Sequence, residues 1–233
     1  MDISRHKTIL FQLLKDIYSD TSISPFLGFK GGTAAVMFYN LDRFSVDLDF
    51  DLLDEKKEEE VFNKVLEIAK KHGVIKESYV KRYNLFILLS YEDKARNIKI
   101  EINRRSFGSR YEMKTYLGVS ILTMVLEDMF AHKLVAMYER MNKTSRDIYD
   151  VWFFLSKRFP INENIIKGRT GMDFNDFLKV CITKLEEFDN KKIMEGLGEL
   201  VTVRQKVGQK DWVKEKLISE TISLLTLRLD QRN

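Results

Sequence analysis

The chain has 233 residues, 44% hydrophobic and 32% charged, with two prolines and eleven glycines, which excludes a disordered or fibrous chain and supplies enough apolar material for one large domain or two small ones. Its 39 basic and 35 acidic residues leave a net charge of +4, which permits a polyanionic partner without demanding one. Cys181 is the single cysteine, so an intrachain disulfide is excluded, and His6, His72 and His132 are too scattered for a zinc site.

Residues 3–18 carry Ile9, Leu10, Leu13, Leu14 and Ile17 at helical spacing, and 22–25 break that helix. Residues 26–29 read as a short strand feeding Gly31-Gly32, and 33–39 as a helix opening at Gly32. Over 45–52 the pattern alternates strictly: Val46, Leu48, Phe50 and Leu52 face one way, Ser45, Asp47, Asp49 and Asp51 the other. Asp54 is an N-cap for a helix over 54–71 that ends at Gly73, and strands follow over 83–91 and around Ile98, Ile100 and Ile102.

Phe107-Gly108-Ser109 is the best domain boundary, dividing an α/β domain over 1–108 from a helical domain over 109–233. Helical patterns cover 121–141, 145–156, 174–188, 191–203 and 212–229, with interruptions near Pro160, Gly168, Gly171 and Gly208. Cys181 lies in an apolar pattern and reads as a core filler. The fold class expected is α+β: a mixed sheet with helices, then a helical bundle. Residues 1–6 lack the apolar core of a signal peptide, and the longest apolar runs, such as 34–39, fall far short of the ~20 residues that span a bilayer. A cytoplasmic protein without membrane contact is the expectation.

The chemistry concentrates in two motifs. Strand residues two apart share a face, with Cα atoms roughly 6.5–7 Å apart, so Asp47 and Asp49 can converge on one divalent metal or a close pair. Mg²⁺ takes oxygen ligands and keeps waters, so two or three carboxylates plus phosphate oxygens suffice, and Glu101 on a neighbouring strand is the natural third. Asp51 extends the same face and reads as a surface residue. Gly31 and Gly32 let backbone approach a ligand, and the helix start beyond them offers N–H groups to a triphosphate. Thr33 either adds a hydroxyl contact or caps the helix. From Gly32 to Asp47 is fifteen positions, room for one short helix and a turn back into the sheet.

Gly31-Gly32-Thr33 followed by Arg43-Phe44-Ser45-Val46-Asp47-Leu48-Asp49-Phe50 resembles the AbiE-type toxin nucleotidyltransferases, a branch of the polymerase-β-like superfamily. The resemblance implies that Gly31, Gly32 and Thr33 hold phosphates and that Asp47, Asp49 and Glu101 bind Mg²⁺ or Mn²⁺. Arg43 either contacts phosphate or braces the turn through an acidic neighbour.

The helical half resembles the family too, in His132-Lys133-Leu134-x-Ala136-x-x-x-Arg140 and Arg146-Asp147-Ile148-Tyr149-Asp150-Val151-Trp152. Lys133 and Arg140 share one helix face, Asp147 and Asp150 another. The family pattern makes Lys133 and Asp150 catalytic, with Asp147 as the alternative carboxylate; the structural alternative is a salt-bridged helix pair. By resemblance the chain is a nucleotidyltransferase with an NTP as substrate, RNA (tRNA above all) as acceptor and an antitoxin protein as partner. The rivals are a protein-modifying nucleotidyltransferase and a nucleotide-binding module without turnover. Trp212 reads as a core or interface aromatic, and Lys81-Arg82, Arg104-Arg105 and Lys191-Lys192 as solvated charge able to receive an RNA backbone.

Overall fold

Asp2 accepts a hydrogen bond from the Arg5 amide and opens α1 (Ile3–Ser19), whose Leu10, Leu13, Leu14 and Ile17 are all buried. The computed structural model describes residues 2–93, 96–141, 144–189 and 216–231. After α1 come β1 (Leu27–Lys30), α2 (Gly31–Phe38), β2 (Leu48–Leu52), α3 (Glu58–Lys70), β3 (Val74–Val80), β4 (Asn84–Ser90), β5 (Ile98–Asn103), β6 (Tyr111–Tyr116) and β7 (Val119–Met124). The strands form one mixed seven-stranded sheet in the order β3-β4-β5-β2-β1-β7-β6. The pairs β2–β5 and β1–β7 are parallel; the rest are antiparallel.

Period-2 alternation sets the two faces of this sheet. Leu48, Phe50, Leu52, Ile98, Ile100, Ile102, Leu85, Ile87 and Leu89 are buried, and α1 and α3 pack against each other and over β7 and β4. Each such side chain contributes about 1.5–3 kcal/mol by leaving water. The opposite face carries Lys30, Asp49, Asp51, Glu101 and Asn103, brought together by register: Lys30 lies across from Asp49, Asp49 from Glu101, and Asp51 from Asn103. Asp54 caps a single 3-10 turn (Glu55–Lys57) rather than α3 itself.

The α+β expectation holds, with three local differences. Two strands follow the Phe107-Gly108-Ser109 segment, and β7 occupies the start of the helix expected over 121–141. A short apolar run does not distinguish a buried strand from a buried helix. The hairpin turn hides as well: Leu117 and Gly118 both have positive φ (47° and 81°), and the leucine disguises a position usually held by Asn or Asp. β3 and β6 are edge strands with most side chains exposed or half-buried, so neither shows clean alternation. Between Pro160 and Gly171, read as an interruption, stands a helix that Asn162 caps and Gly171 closes at φ 75°.

The chain divides into two compact units, residues 1–40 with 45–125, and residues 41–44 with 126–233. The second contains α4 (Leu126–Arg140), α5 (Arg146–Ser156), α6 (Glu163–Thr170), α7 (Phe174–Glu186) and α8 (Leu217–Asp230). Phe130, Phe154 and Phe177 are fully buried in it, as is Cys181, whose thiol burial pushes up to about 12. The helix expected over 191–203, the start of the one over 212–229, Lys191-Lys192 and Trp212 lie outside the described residues. Among the described residues no helix is long and apolar enough to cross a membrane.

Candidate active site

Gly31 stands at the junction of β1 and α2 with φ +79°, a conformation that L side chains rarely adopt. A Cβ built there would lie 2.1 Å from Asp49 Oδ2, so the carboxylate rests directly on the glycine Cα. Gly32 and Thr33 follow in the first turn of α2, both buried. Thr33 is not the N-cap of α2, a position Lys30 holds; its hydroxyl donates to the Asp47 carbonyl and lies 3.0 Å from Ser45 Oγ. It thereby ties the helix start to the strand entrance, because Asp47 precedes the regular ladder of β2 by one residue.

A second latch holds the same entrance. The Val46 carbonyl can only accept, so His6 Nε2 donates to it (3.1 Å) and Nδ1 accepts from the Tyr91 hydroxyl (2.9 Å). Burial lowers the His6 pKa, which keeps this neutral arrangement. On its other side the Asp47 carboxylate accepts from the Lys99 amide at 3.3 Å.

Asp51 corrects the surface assignment. It is 7% exposed, and its carboxylate accepts from Lys30 Nζ (2.5 Å), Asn103 Nδ2 (2.6 Å) and Tyr111 Oη (2.5 Å). The Tyr111 ring lies over Gly28, where a Cβ would come within 2.2 Å of Cε1. Alternation placed Asp51 on the correct face, but nothing in the local sequence announces that Tyr111 reaches it. These three partners hold Asp51 within the fold; Asp47, Asp49 and Glu101 are the carboxylates the sequence points to for a cation.

Among the described residues no three His, Cys, Asp or Glu side chains gather into a preformed cage. The donors present still fit a hard divalent ion: Asp47 and Asp49 are half-buried, and Glu101 stands across from Asp49 on the next strand. Such an ion needs only one or two carboxylates when phosphate oxygens and water complete its shell. The set suits a metal that arrives with a triphosphate.

In the second unit, residues 41–44 bring Arg43 to α4 and α5. Arg43 donates to both oxygens of Asp150, Nε–Oδ1 at 2.5 Å and Nη2–Oδ2 at 2.7 Å, and through Nη1 to the Phe44 carbonyl. Lys133 Nζ adds a third bond to Asp150 Oδ2 at 2.6 Å. Asp150 is fully buried; burial would push its carboxyl up, but Arg43 and then Lys133 outweigh that and hold it well below the usual range. Burial likewise works against the Arg43 charge, and Asp150 reverses the balance, raising its pKa. Of the two roles open to Arg43, the contacts it makes are those of the brace.

Asp147 makes no hydrogen bond to this cluster: it pairs with Arg140 at 3.0 Å, and among the described residues its buried Oδ2 has no hydrogen-bond partner. The helix pair is therefore salt-bridged twice, Lys133 to Asp150 and Arg140 to Asp147. Two cations share one carboxylate in the first of these, leaving a formal surplus of one positive charge. Lys133, 9% exposed, is the member of that cluster closest to solvent.

A family model described as Nucleotidyl transferase AbiEii toxin, Type IV TA system, matches residues 12–214. Two solved structures from Helicobacter pylori share the fold. One is provisionally assigned as a nucleotidyltransferase, with 18% identity, a TM-score of 0.63 and coverage of 98% of this chain and 96% of that one. The other, JHP933, has 18% identity, a TM-score of 0.56 and coverage of 99% and 94%. No curated protein matches the sequence.

Proposed function

This chain belongs to the AbiEii nucleotidyltransferase toxin family, and on that premise we propose that it moves a nucleotide from an NTP to an RNA hydroxyl, tRNA foremost, with Mg²⁺ or Mn²⁺. It is a nucleotidyltransferase with a toxin–antitoxin role, and the proposal extends to a cognate antitoxin protein that restrains it. The observation that carries the reading is the latch between Gly31–Thr33 and Asp47–Asp49. One hydroxyl bond and one carboxylate-on-glycine contact hold phosphate-binding backbone against metal-binding side chains.

In the reaction the acceptor oxygen bonds to the α-phosphorus, the bond to the departing pyrophosphate breaks, and water takes the acceptor proton. Asp47, Asp49 and Glu101 would hold the divalent metal, which would there offset phosphate charge and favour loss of the acceptor proton. The Gly31-Gly32 backbone and the first turn of α2 orient the triphosphate. Thr33 and His6 fix the backbone at Val46 and Asp47. Within the second unit the family pattern makes Lys133 the catalytic cation, and Asp150, which accepts from Arg43 and Lys133, positions its ammonium.

The test is label transfer from each α-³²P NTP, with Mg²⁺, into total RNA and total protein. Label in RNA supports the proposal and names the nucleotide. Label in protein alone replaces it with a protein-modifying enzyme; nucleotide binding without label replaces it with a silent binding module.

Gly31→Ala probes the latch. The new methyl would face Asp49 Oδ2 at 2.1 Å from a backbone at φ +79°. We expect a cost of about 1–3 kcal/mol from the left-handed backbone alone. Displacement of Asp49 should also lower transfer by roughly a hundredfold. A thermal melt and the transfer assay read the two effects; unchanged turnover would remove the latch from the mechanism.

A further inference from the structure

One row of side chains crosses the sheet in register from Lys30 through Asp49, Glu101 and Phe86 to Tyr79. Phe86 is one strand from Glu101 and Tyr79 two, roughly 5 and 10 Å away. The two rings are stacked, with centroids 4.7 Å apart and planes 13° apart, and Lys81 Nζ sits 4.1 Å above the outer ring. The face that carries the carboxylates thus runs directly into an aromatic surface topped by a cation.

Beside it, where β4 begins and β5 ends, lies a second stack. Tyr83 is 49% exposed, with the Arg82 guanidinium 5.1 Å and the Arg105 guanidinium 5.4 Å from its ring centre; Arg105 is also 5.5 Å from Phe107. Among the described residues neither Arg82 nor Arg105 pairs with a carboxylate. Arg104 does the structural work between the stacks. It pairs with Glu58 and donates to the Lys81 and Arg82 carbonyls, so the turn bearing the cations is held in shape. Asn103 joins the stack to the site by donating to both Asp51 and the Arg105 carbonyl.

We infer that this strip, centred on Lys81, Arg82, Tyr83 and Arg105, is the acceptor-binding surface and takes single-stranded RNA. Single-stranded nucleic acid offers alternating anionic phosphates and planar bases, and proteins meet it with cations interleaved with aromatic and guanidinium faces. An acidic peptide would use the guanidinium edges and leave the rings idle. The base of the NTP alone would not need three cations spread over adjoining turns. The inference rests on the proposed RNA acceptor but names the residues that would hold it.

The test measures fluorescence anisotropy of a labelled short single-stranded RNA against salt, without NTP, for the wild type, the double variant Arg82→Glu/Arg105→Glu, and Tyr83→Ala. The double variant should weaken RNA binding at least tenfold and lower the log–log salt slope by about 1–2. Tyr83→Ala should weaken binding roughly fivefold or more with the slope unchanged. Melting temperature and NTP affinity should stay as in the wild type. RNA binding within twofold of wild type in the double variant overturns the inference, as does a loss of NTP affinity in its place or a wild type that binds no RNA. If wild-type protein binds RNA through this strip yet transfers no label to it, the proposed reaction fails and the surface stands. If label transfer to RNA is normal in the double variant, the surface fails and the reaction stands.

Discussion

Asp47→Ala should abolish nucleotide transfer while leaving the protein folded, and Asp49→Ala should do the same. Asp47 is joined to the rest of the site mainly through its backbone: Thr33 binds its carbonyl, and the neighbouring Val46 carbonyl is held by His6. Removing the side chain leaves both latches in place and costs only one long contact to the Lys99 amide. Asp49 lies against Gly31 at a half-buried position, so its truncation vacates space there rather than forcing the backbone to move. Stability should therefore change little. Losing a carboxylate that holds the metal should cost several kcal/mol of transition-state stabilisation, about a thousandfold or more in rate. Initial rates of label transfer, set beside thermal melts, read the two quantities separately; wild-type-like turnover in either variant would sink the metal assignment.

Asp150→Asn should act in the opposite proportion, striking stability first. The substitution keeps the volume but removes the negative charge that two buried cations share. Breaking a buried ion pair by losing one partner costs about 3–5 kcal/mol, because the orphaned charge stays desolvated. For a protein of this size that is a fall of roughly 6–20 °C in melting temperature. The pH dependence should change in a defined direction. Because Asp150 is held below its ordinary value of 3.8, its contribution is complete above that pH, where the unfolded chain also loses its proton. It is lost as the pH falls, when the unfolded chain takes up a proton that the folded protein refuses. Urea midpoints at pH 7 and pH 3 should converge between wild type and variant as the pH drops. A variant as stable as wild type at pH 7 would mean that the cluster is not the brace its geometry describes.

The two sites differ in how far a linear reading reaches. Alternation over 45–52 was enough to place Asp47, Asp49 and Asp51 on one face, and the same rule put Glu101 on a polar face of its own strand. It could not say which of the aspartates would be consumed internally. Asp51 is taken by Lys30, Asn103 and Tyr111, the last from a strand that sequence periodicity did not announce. Arg43 shows the same limit. Its two roles were equally open until the chain brought Asp150 to it from 107 positions away.

Local physics determined most of the elements of this protein: helical spacing in every helix but α6, the glycine junction, and the strand that carries Asp47 and Asp49. Each of these depends on residues within a few positions of one another, where periodicity and capping act. Tertiary structure alone decided the pairing order of the strands, the register that sets Glu101 across from Asp49, and the partners of every buried charge. Those depend on contacts between residues far apart in sequence, where burial removes water and each charge must find a neighbour of opposite sign.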